Sequence, residues 1–379
     1  MSKKKKIVIV SPAHPLRGGI AALTERLAGE LQKGPYEVTI VSFSLQYPSF
    51  LFPGKTQYST DPPPANLDIR SWINSVNPIN WLLTGWKIRK LDPELIVVRY
   101  WLPFMGPCLG TLLRIAKRGK TKVVAITDNV LPHEKRPGDR LFTRYFIGAA
   151  DAFITMSKSV EEDLRLFTKT KPSLLIPHPV YDNYGTPATK AEACEKLGLN
   201  PEDKLVLFFG FIRDYKGLDL LLQALADERL QKMSVKLIVA GEYYGNREKY
   251  EQLIQQLDLQ QRVILHTDYI PNSDVRYYFG AADLVAQPYK SATQSGISQM
   301  AYHFEKPILV TAVGGLPEIV AHGKAGYVVD VAPPAIADAI VDFFENERQQ
   351  AFTEGVREEK KRFSWQRLVE GLEELAGWR

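Results

Sequence analysis

Two cations in one short loop are the residues best suited to chemistry. Arg213 and Lys216 follow an apolar segment that ends in Gly210. Arginine can bind phosphate oxygens through two parallel N–H groups and lysine supplies a compact charge, so together they suit a diphosphate. Solvated surface cations would explain the residue types alone. Their place directly after a predicted strand favours a binding site.

A second loop of the same kind lies at residues 287–296. It ends in Gln294, Ser295 and Gly296 and leads into a predicted helix at Ile297–Phe304. Unpaired N–H groups at the start of a helix attract anions. We therefore expect this loop to bind the same anionic ligand as the two cations, although an ordinary helix cap would use the same residue types.

Two glycine turns repeat the arrangement of strand, turn and helix. Gly18 and Gly19 separate the first predicted strand from the first long helix, and Gly314 and Gly315 precede Glu318 at the start of another. Glycine lets the backbone approach a ligand closely. The first turn lacks the G-x-G-x-x-G spacing, and the chain contains no G-x-x-x-x-G-K-[ST] motif. A plain tight turn explains each glycine pair equally well.

The elements that hold these loops follow from hydrophobic patterning. Short apolar runs rich in Val and Ile alternate with amphipathic stretches, which indicates parallel sheets covered on both faces by helices. Ligands of such sheets bind at the carboxyl ends of strands, where all of these loops lie. The predicted strands are Ile7–Ser11, Val38–Phe43, Leu95–Val98, Val123–Ile126, Ala152–Met156 and Leu174–Ile176, then Leu205–Phe209, Val235–Ala240, Val263–His266, Leu284–Ala286, Ile308–Thr311 and Tyr327–Val329.

The pattern breaks at residues 177–179, and residues 182–187 have the composition of a linker. We therefore predict an α/β protein of two doubly wound, Rossmann-like domains that face each other across a cleft. The first domain would span residues 1–183 and the second residues 184–363, followed by an amphipathic helix within residues 364–379.

Composition limits the protein class. The chain has 379 residues, of which 45% are hydrophobic and 24% charged, the balance of a soluble globular protein with more than one core. Its two cysteines have no metal or redox spacing, and no apolar run is long enough for a signal peptide or a membrane span. These features predict a cytoplasmic protein.

The charge is unevenly distributed. Residues 1–183 contain 26 Lys and Arg against 15 Asp and Glu, a net charge of +11, whereas the whole chain has +5. A basic first half suggests an anionic partner such as a membrane surface, and a solvated basic face would account for the same excess. Nucleic acid is not predicted as a partner, because no aromatic-basic motif or recognition helix is visible.

Taken together, these motifs resemble the GT-B glycosyltransferases of family 4 over nearly the whole chain. The resemblance implies that the second domain binds a nucleoside-diphosphate sugar and that the first faces the acceptor, with the last helix crossing back onto it. It also implies transfer with retention, without a metal, from a UDP-sugar or GDP-sugar as co-substrate. The matching features are Gly18-Gly19, Gly210 with Lys216-Gly217, Lys306-Pro307, Gly314-Gly315 with Glu318, and Phe363-Ser364-Trp365.

The chain departs from the family pattern at three places. The family's paired glutamates would fall at Ala292 and Met300, and Gln294 or Ser295 would then contact the sugar. The family arginine directly after Gly210 is replaced by one at Arg213. A histidine that commonly begins a loop of the first domain is replaced by Asp128, with His133 close by in sequence.

Asp128 and His133 are therefore candidate catalytic residues beside Arg213 and Lys216. His133 would bond the sugar or assist proton transfer, and a structural loop histidine is the alternative. The aromatic loop at residues 44–54, with nearby tryptophans, would meet a glycan or lipid-linked acceptor or pack in the core. A nucleotide-sugar 2-epimerase or hydrolase, and a non-catalytic nucleotide-sugar-binding protein, remain alternative functions.

Overall fold

The computed structural model describes residues 4–48, 56–59, 62–131, 137–182, 184–292 and 295–379. The chain divides into two compact units, Met1–Pro177 with Ser364–Arg379, and His178–Phe363. The division after Pro177 lies a few residues before the predicted boundary at residue 183.

Unit 1 contains a sheet of seven parallel strands in the order β3-β2-β1-β4-β5-β6-β7. The central strands consist almost wholly of buried Val, Ile and Ala, because helices cover both of their faces. The strands are β1 Lys5–Val10, β2 Tyr36–Leu45, β3 Asp68–Asn74, β4 Leu95–Tyr100, β5 Lys122–Thr127, β6 Ala152–Thr155 and β7 Ser173–Leu175. The helices are α1 Gly19–Gln32, α2 Pro78–Leu91, α3 Gly106–Ala116, α4 Asp139–Ala149 and α5 Lys158–Arg165.

Unit 2 contains six parallel strands in the order β10-β9-β8-β11-β12-β13. All six strands predicted for this half are present, each within one residue at either end. The strands are β8 Leu205–Phe209, β9 Lys236–Ala240, β10 Val263–His266, β11 Leu284–Gln287, β12 Ile308–Thr311 and β13 Gly326–Val329. The helices are α6 Lys190–Leu197, α7 Leu218–Leu225, α8 Glu228–Lys232, α9 Arg247–Gln256, α10 Val275–Ala281, α11 Gly296–His303, α12 Leu316–Ile319, α13 Pro333–Glu345 and α14 Gln349–Lys360.

The final helix, α15 (Trp365–Ala376), belongs to unit 1. The Tyr36 hydroxyl of β2 donates a 2.6 Å hydrogen bond to Glu373, and its ring stacks on Trp378 at 5.5 Å. Gly371 lies so close to Ile176 that a Cβ there would be 2.2 Å from the Ile176 side chain. These contacts hold α15 against the sheet of unit 1.

The prediction of two doubly wound parallel sheets is confirmed. One strand was not predicted, β3 at the edge of the first sheet. Its polar residues Asp68 and Arg70 pair with each other on the solvent side and Ile73 alone is fully buried, so it lacks the continuous apolar run of the other strands.

Each sheet reverses its winding direction beside its first strand, between β1 and β4 in unit 1 and between β8 and β11 in unit 2. The carboxyl ends of strands at such a reversal leave a crevice in which doubly wound sheets bind ligands. The loop after β8 carries Arg213 and Lys216, and the loop after β11 leads into α11. The fold of unit 2 therefore brings the two predicted anion-binding loops to the same point.

None of the described helices combines the length and the apolar composition that a membrane span requires. Both cysteines, Cys108 and Cys194, are buried and free.

Candidate anion-binding site

The loop after β8 is fixed by backbone contacts with the end of β9. Gly210 has a φ of 93°, which favours glycine, and its N–H donates to Ala240 at 2.8 Å. A Cβ at Gly241 would lie 2.5 Å from the Gly210 carbonyl oxygen, so the two backbones touch. Ile212 then donates to Glu242 at 2.9 Å and continues the pairing. The loop is thereby held in one path up to Arg213.

Arg213 lies over an aromatic ring. Its guanidinium carbon is 3.6 Å from the centroid of the Tyr244 ring, and its Nε is buried without a hydrogen-bond partner. The adjacent carboxylate of Asp214 pairs with Lys249 and Lys290 instead. Among the described residues Arg213 has no carboxylate partner, so its charge is available to an anionic ligand.

Lys216 is the most unusual cation of the site, because it is only 8% exposed and forms no ion pair or hydrogen bond through Nζ with a described residue. A Cβ at Gly210 would lie 3.0 Å from Lys216 Nζ, so the ammonium lies directly against this glycine. Burial, together with repulsion from Arg213, lowers the pKa of Lys216 to about 7. The site thus contains a buried amine whose protonated form a bound anion would stabilise.

The start of α11 lies beside these cations. The Ile297 side chain would be 3.4 Å from a Cβ at Gly210, which places the first turn of α11 against the cationic loop. The Ser295 hydroxyl accepts from the Ile297 N–H at 3.2 Å and contacts the Tyr289 hydroxyl at 3.3 Å. The positive end of the helix dipole therefore adds to the field of Arg213 and Lys216.

The two loops also touch through their backbones. A Cβ at Gly217, whose φ is 68°, would lie 1.9 Å from the Pro288 carbonyl oxygen, and Lys290 donates to the Tyr215 carbonyl at 2.7 Å. Gly296 is covered by Tyr181, whose ring would be 2.7 Å from a Cβ there. The structure thus brings together five predicted site residues, namely Gly210, Arg213, Lys216, Ser295 and Gly296.

The remaining predicted residues of unit 2 have other positions. Glu318 is half-exposed on α12, after the neighbouring strand β12, and its backbone carbonyl accepts from Arg362 at 3.3 Å. Gln294 lies outside the described residues.

The predicted residues of unit 1 are described separately. Gly18, with a φ of 116°, caps α1 and Gly19 begins it, so this turn follows β1 at the winding reversal of the first sheet. His133 lies outside the described residues. Asp128 follows β5 at the same edge of the sheet.

Asp128 forms a buried ion pair with Arg99 of β4. The Arg99 Nε donates to Asp128 at 3.1 Å and its NH2 group donates to the other carboxylate oxygen, while Arg99 is 1% exposed. A carboxylate that balances a buried guanidinium stabilises the fold of this edge. The ion pair gives Asp128 a structural role, and the catalytic role remains a prediction.

Two residues of these sites were missed in the sequence, namely Tyr244 and Arg99. Tyr244 could have been found, because it follows β9 at the same sheet edge as Arg213.

Within the described ranges, no cluster of three His, Cys, Asp or Glu side chains could hold a metal ion.

The chain is similar to known families along both halves. Residues 17–183 match the model described as Glycosyltransferase Family 4, and residues 189–359 match the model described as Glycosyl transferases group 1. It is 33% identical over 198 residues to the D-inositol 3-phosphate glycosyltransferase of Segniliparus rotundus, a match that covers 51% of this chain and 43% of that protein. The chain spans about half the length of the first curated relatives it matches, 43% and 55%.

Solved structures share the fold at low sequence identity. Sucrose-phosphate synthase from Thermosynechococcus elongatus superimposes with a TM-score of 0.77 at 17% identity, covering 98% of each chain. The Anabaena protein HepE in complex with UDP-glucose gives a TM-score of 0.71 at 17% identity, covering 99% of this chain and 100% of that one. At such identities the likeness concerns the fold.

We predict that Lys216→Met stabilises the free protein. The folded-state pKa of Lys216, about 7, lies below the ordinary value of 10.5, so the unfolded chain binds the proton more tightly. The free energy of unfolding therefore rises as the pH increases from about 7 to 10.5. Below pH 7 Lys216 is protonated in both states, and the cost of burying its charge fully destabilises the folded protein. At pH 7 the variant should gain about 1 kcal/mol or more in denaturant unfolding and lose part of the pH dependence. An unchanged or lower stability at pH 7 would contradict an unpaired buried amine.

A second prediction concerns the ion pair in unit 1. Asp128→Asn should lower the free energy of unfolding by about 3 kcal/mol, because it leaves the Arg99 guanidinium buried without a counter-charge. The double variant Arg99→Met/Asp128→Leu should recover most of this loss in chemical denaturation. If the single variant is as stable as wild type, the pair has no structural role and a catalytic use of Asp128 gains weight.

Proposed function

Because the chain belongs to glycosyltransferase family 4 and has the GT-B fold, we propose that it is a retaining glycosyltransferase that uses a nucleoside-diphosphate sugar. The observation that carries the proposal is the unneutralised pair of Lys216 and Arg213 beside the start of α11. A diphosphate bound there would supply the charge that these groups lack.

The same groups suit the transition state of sugar transfer. When the bond between the anomeric carbon and the β-phosphate oxygen breaks, negative charge grows on the departing diphosphate. Lys216 and Arg213 are fixed before the reaction by Gly210 and Tyr244, so little reorganisation is needed to stabilise that charge. The acceptor oxygen forms its bond on the face that the phosphate leaves, and its proton passes to a phosphate oxygen.

The sugar and ribose contacts differ from the usual family pattern. Ala292 and Met300 stand where the family has glutamates, and both are buried apolar residues in unit 2. Neither position can accept hydrogen bonds through a carboxylate, so we propose that Ser295, Gln294 and backbone N–H groups near α11 contact the sugar. This proposal fits either a UDP-sugar or a GDP-sugar and requires no metal cofactor.

We propose a glycan or lipid-linked acceptor, contacted by unit 1, with Asp128 and His133 of that unit as candidate catalytic residues. Since the Segniliparus rotundus relative is named for D-inositol 3-phosphate, that compound belongs in any acceptor panel. An anionic membrane at the cytoplasmic face is the further partner we propose.

Ligand-induced thermal shift tests the donor site. Wild type should be stabilised by one of UDP, GDP or ADP and its sugars, and Arg213→Ala/Lys216→Ala should lose that shift by linkage. A matched control is Arg229→Ala/Lys232→Ala on α8, which removes one arginine and one lysine from the same unit before β9, at the opposite edge of the sheet. A shift that survives in the first variant, or one absent from wild type, would refute the site.

Turnover of the stabilising donor separates the possible functions. With an acceptor, the proposal predicts a glycoside of unchanged anomeric configuration by NMR, formed about a hundredfold more slowly by Lys216→Ala. Consumption of the donor without any acceptor would instead show an epimerase or hydrolase. Tight binding without turnover across the acceptor panel would show a binding protein.

A further inference from the structure

Helix α2 has its large apolar side chains on the side that faces solvent. Its buried residues are Thr84, Gly85 and Ile88, whereas a stripe at helical spacing points outward. The exposed fractions are 69% for Ile79, 44% for Leu82, 57% for Leu83 and 53% for Trp86. A helix that only covered the sheet would show the opposite arrangement.

Close packing of three helices continues this surface to α4. A Cβ at Gly85 would lie 2.7 Å from Ile115 of α3, and a Cβ at Gly110 of α3 would lie 2.7 Å from the Tyr145 ring of α4. Helices α2 and α4 therefore flank α3 closely on one face of the sheet. On α4, Leu141 is 67% exposed, and Phe142 and Tyr145 are exposed beside it.

The other aromatic residues of this region are packed inward. Trp101 is buried, and Trp72, Trp81 and Phe104 are partly buried and pack against the core of unit 1, so they expose less apolar surface than the residues of α2 and α4. Among the described residues of unit 1, the largest group of exposed apolar side chains therefore lies on α2 and α4.

The charged residues of these helices are almost all basic. Helix α2 carries Lys87, Arg89 and Lys90 and no acidic residue, α3 carries Arg114 alone, and α4 carries Arg140 and Arg144 against Asp139. Exposed apolar side chains surrounded by basic residues are suited to the surface of an anionic lipid bilayer. There the apolar side chains insert between the lipid headgroups and acyl chains, and the cations contact the lipid phosphates.

We infer that the outer faces of α2 and α4, defined by Ile79, Leu82, Leu83, Trp86, Leu141 and Tyr145, dock unit 1 on an anionic lipid bilayer. The inference concerns this unit alone and does not depend on the donor site in unit 2. A second copy of the chain could also cover this surface. The six cations and one acid of α2, α3 and α4 would then face the same charges of the other copy, which would repel them.

Vesicle co-sedimentation tests the inference with the full chain. Wild type should bind phosphatidylglycerol vesicles, bind phosphatidylcholine vesicles much more weakly, and dissociate as salt is raised. Ile79→Glu/Leu83→Glu should weaken binding by at least about tenfold, and Lys90→Glu/Arg140→Glu should remove the preference for anionic lipid.

The matched control is Leu166→Glu, an exposed leucine (59%) at the end of α5 in the same unit, which should bind vesicles like wild type. Unchanged melting temperatures and an unchanged nucleotide-induced shift would show that both units of each variant are folded. The inference is wrong if wild type does not bind phosphatidylglycerol, or if Ile79→Glu/Leu83→Glu binds normally. It is also wrong if sedimentation equilibrium shows a dimer that this variant dissociates, since a second copy then covers the face.

Discussion

The Lys216 ammonium is buried without a carboxylate partner among the described residues, and the properties of the site in unit 2 follow from this. Proteins rarely bury an unpaired charge, because desolvation is costly and no neighbour repays it. Here Gly210 leaves just enough room for Nζ, and the nearest charged group, Arg213, repels it. A site that stores this electrostatic cost in the free protein recovers it when an anion binds, which suits a diphosphate.

The fold of unit 2 explains how the protein tolerates the free-energy cost of burying the Lys216 ammonium. The winding reversal between β8 and β11 places two loops and the start of α11 side by side, and glycines at 217 and 241 allow backbone approaches that any Cβ would prevent. Nearby acids are held elsewhere, since Asp214 pairs with Lys249 and Lys290. Within the part of the chain that the structure describes, no carboxylate is therefore paired with Arg213 or Lys216.

Much of this could be predicted from the sequence, because buried parallel strands appear as runs of Val and Ile and their loops then lie at known edges. The edge strand β3 could not, since its polar and apolar residues are mixed. The pairing of Arg99 with Asp128 was also invisible, because it joins residues on neighbouring strands that are distant in the chain. The apolar residues of α2 recur at the spacing that usually marks the buried side of a helix. Only the structure shows that they face solvent, because Gly85 on the other side of α2 packs against α3.

Proton uptake on donor binding shows whether Lys216 becomes protonated when an anion occupies the site. Calorimetry of the stabilising nucleotide sugar near pH 7.5, in two buffers of different ionisation enthalpy, reports the protons that the complex gains. The phosphates of a nucleotide sugar keep a constant charge near this pH, so uptake reports on the protein. Wild type should take up a substantial fraction of a proton, because the anion raises the pKa of Lys216 from about 7, and Lys216→Arg should take up almost none. Equal uptake by the two proteins, or none by wild type, would show that Lys216 is not the group that binds the anion.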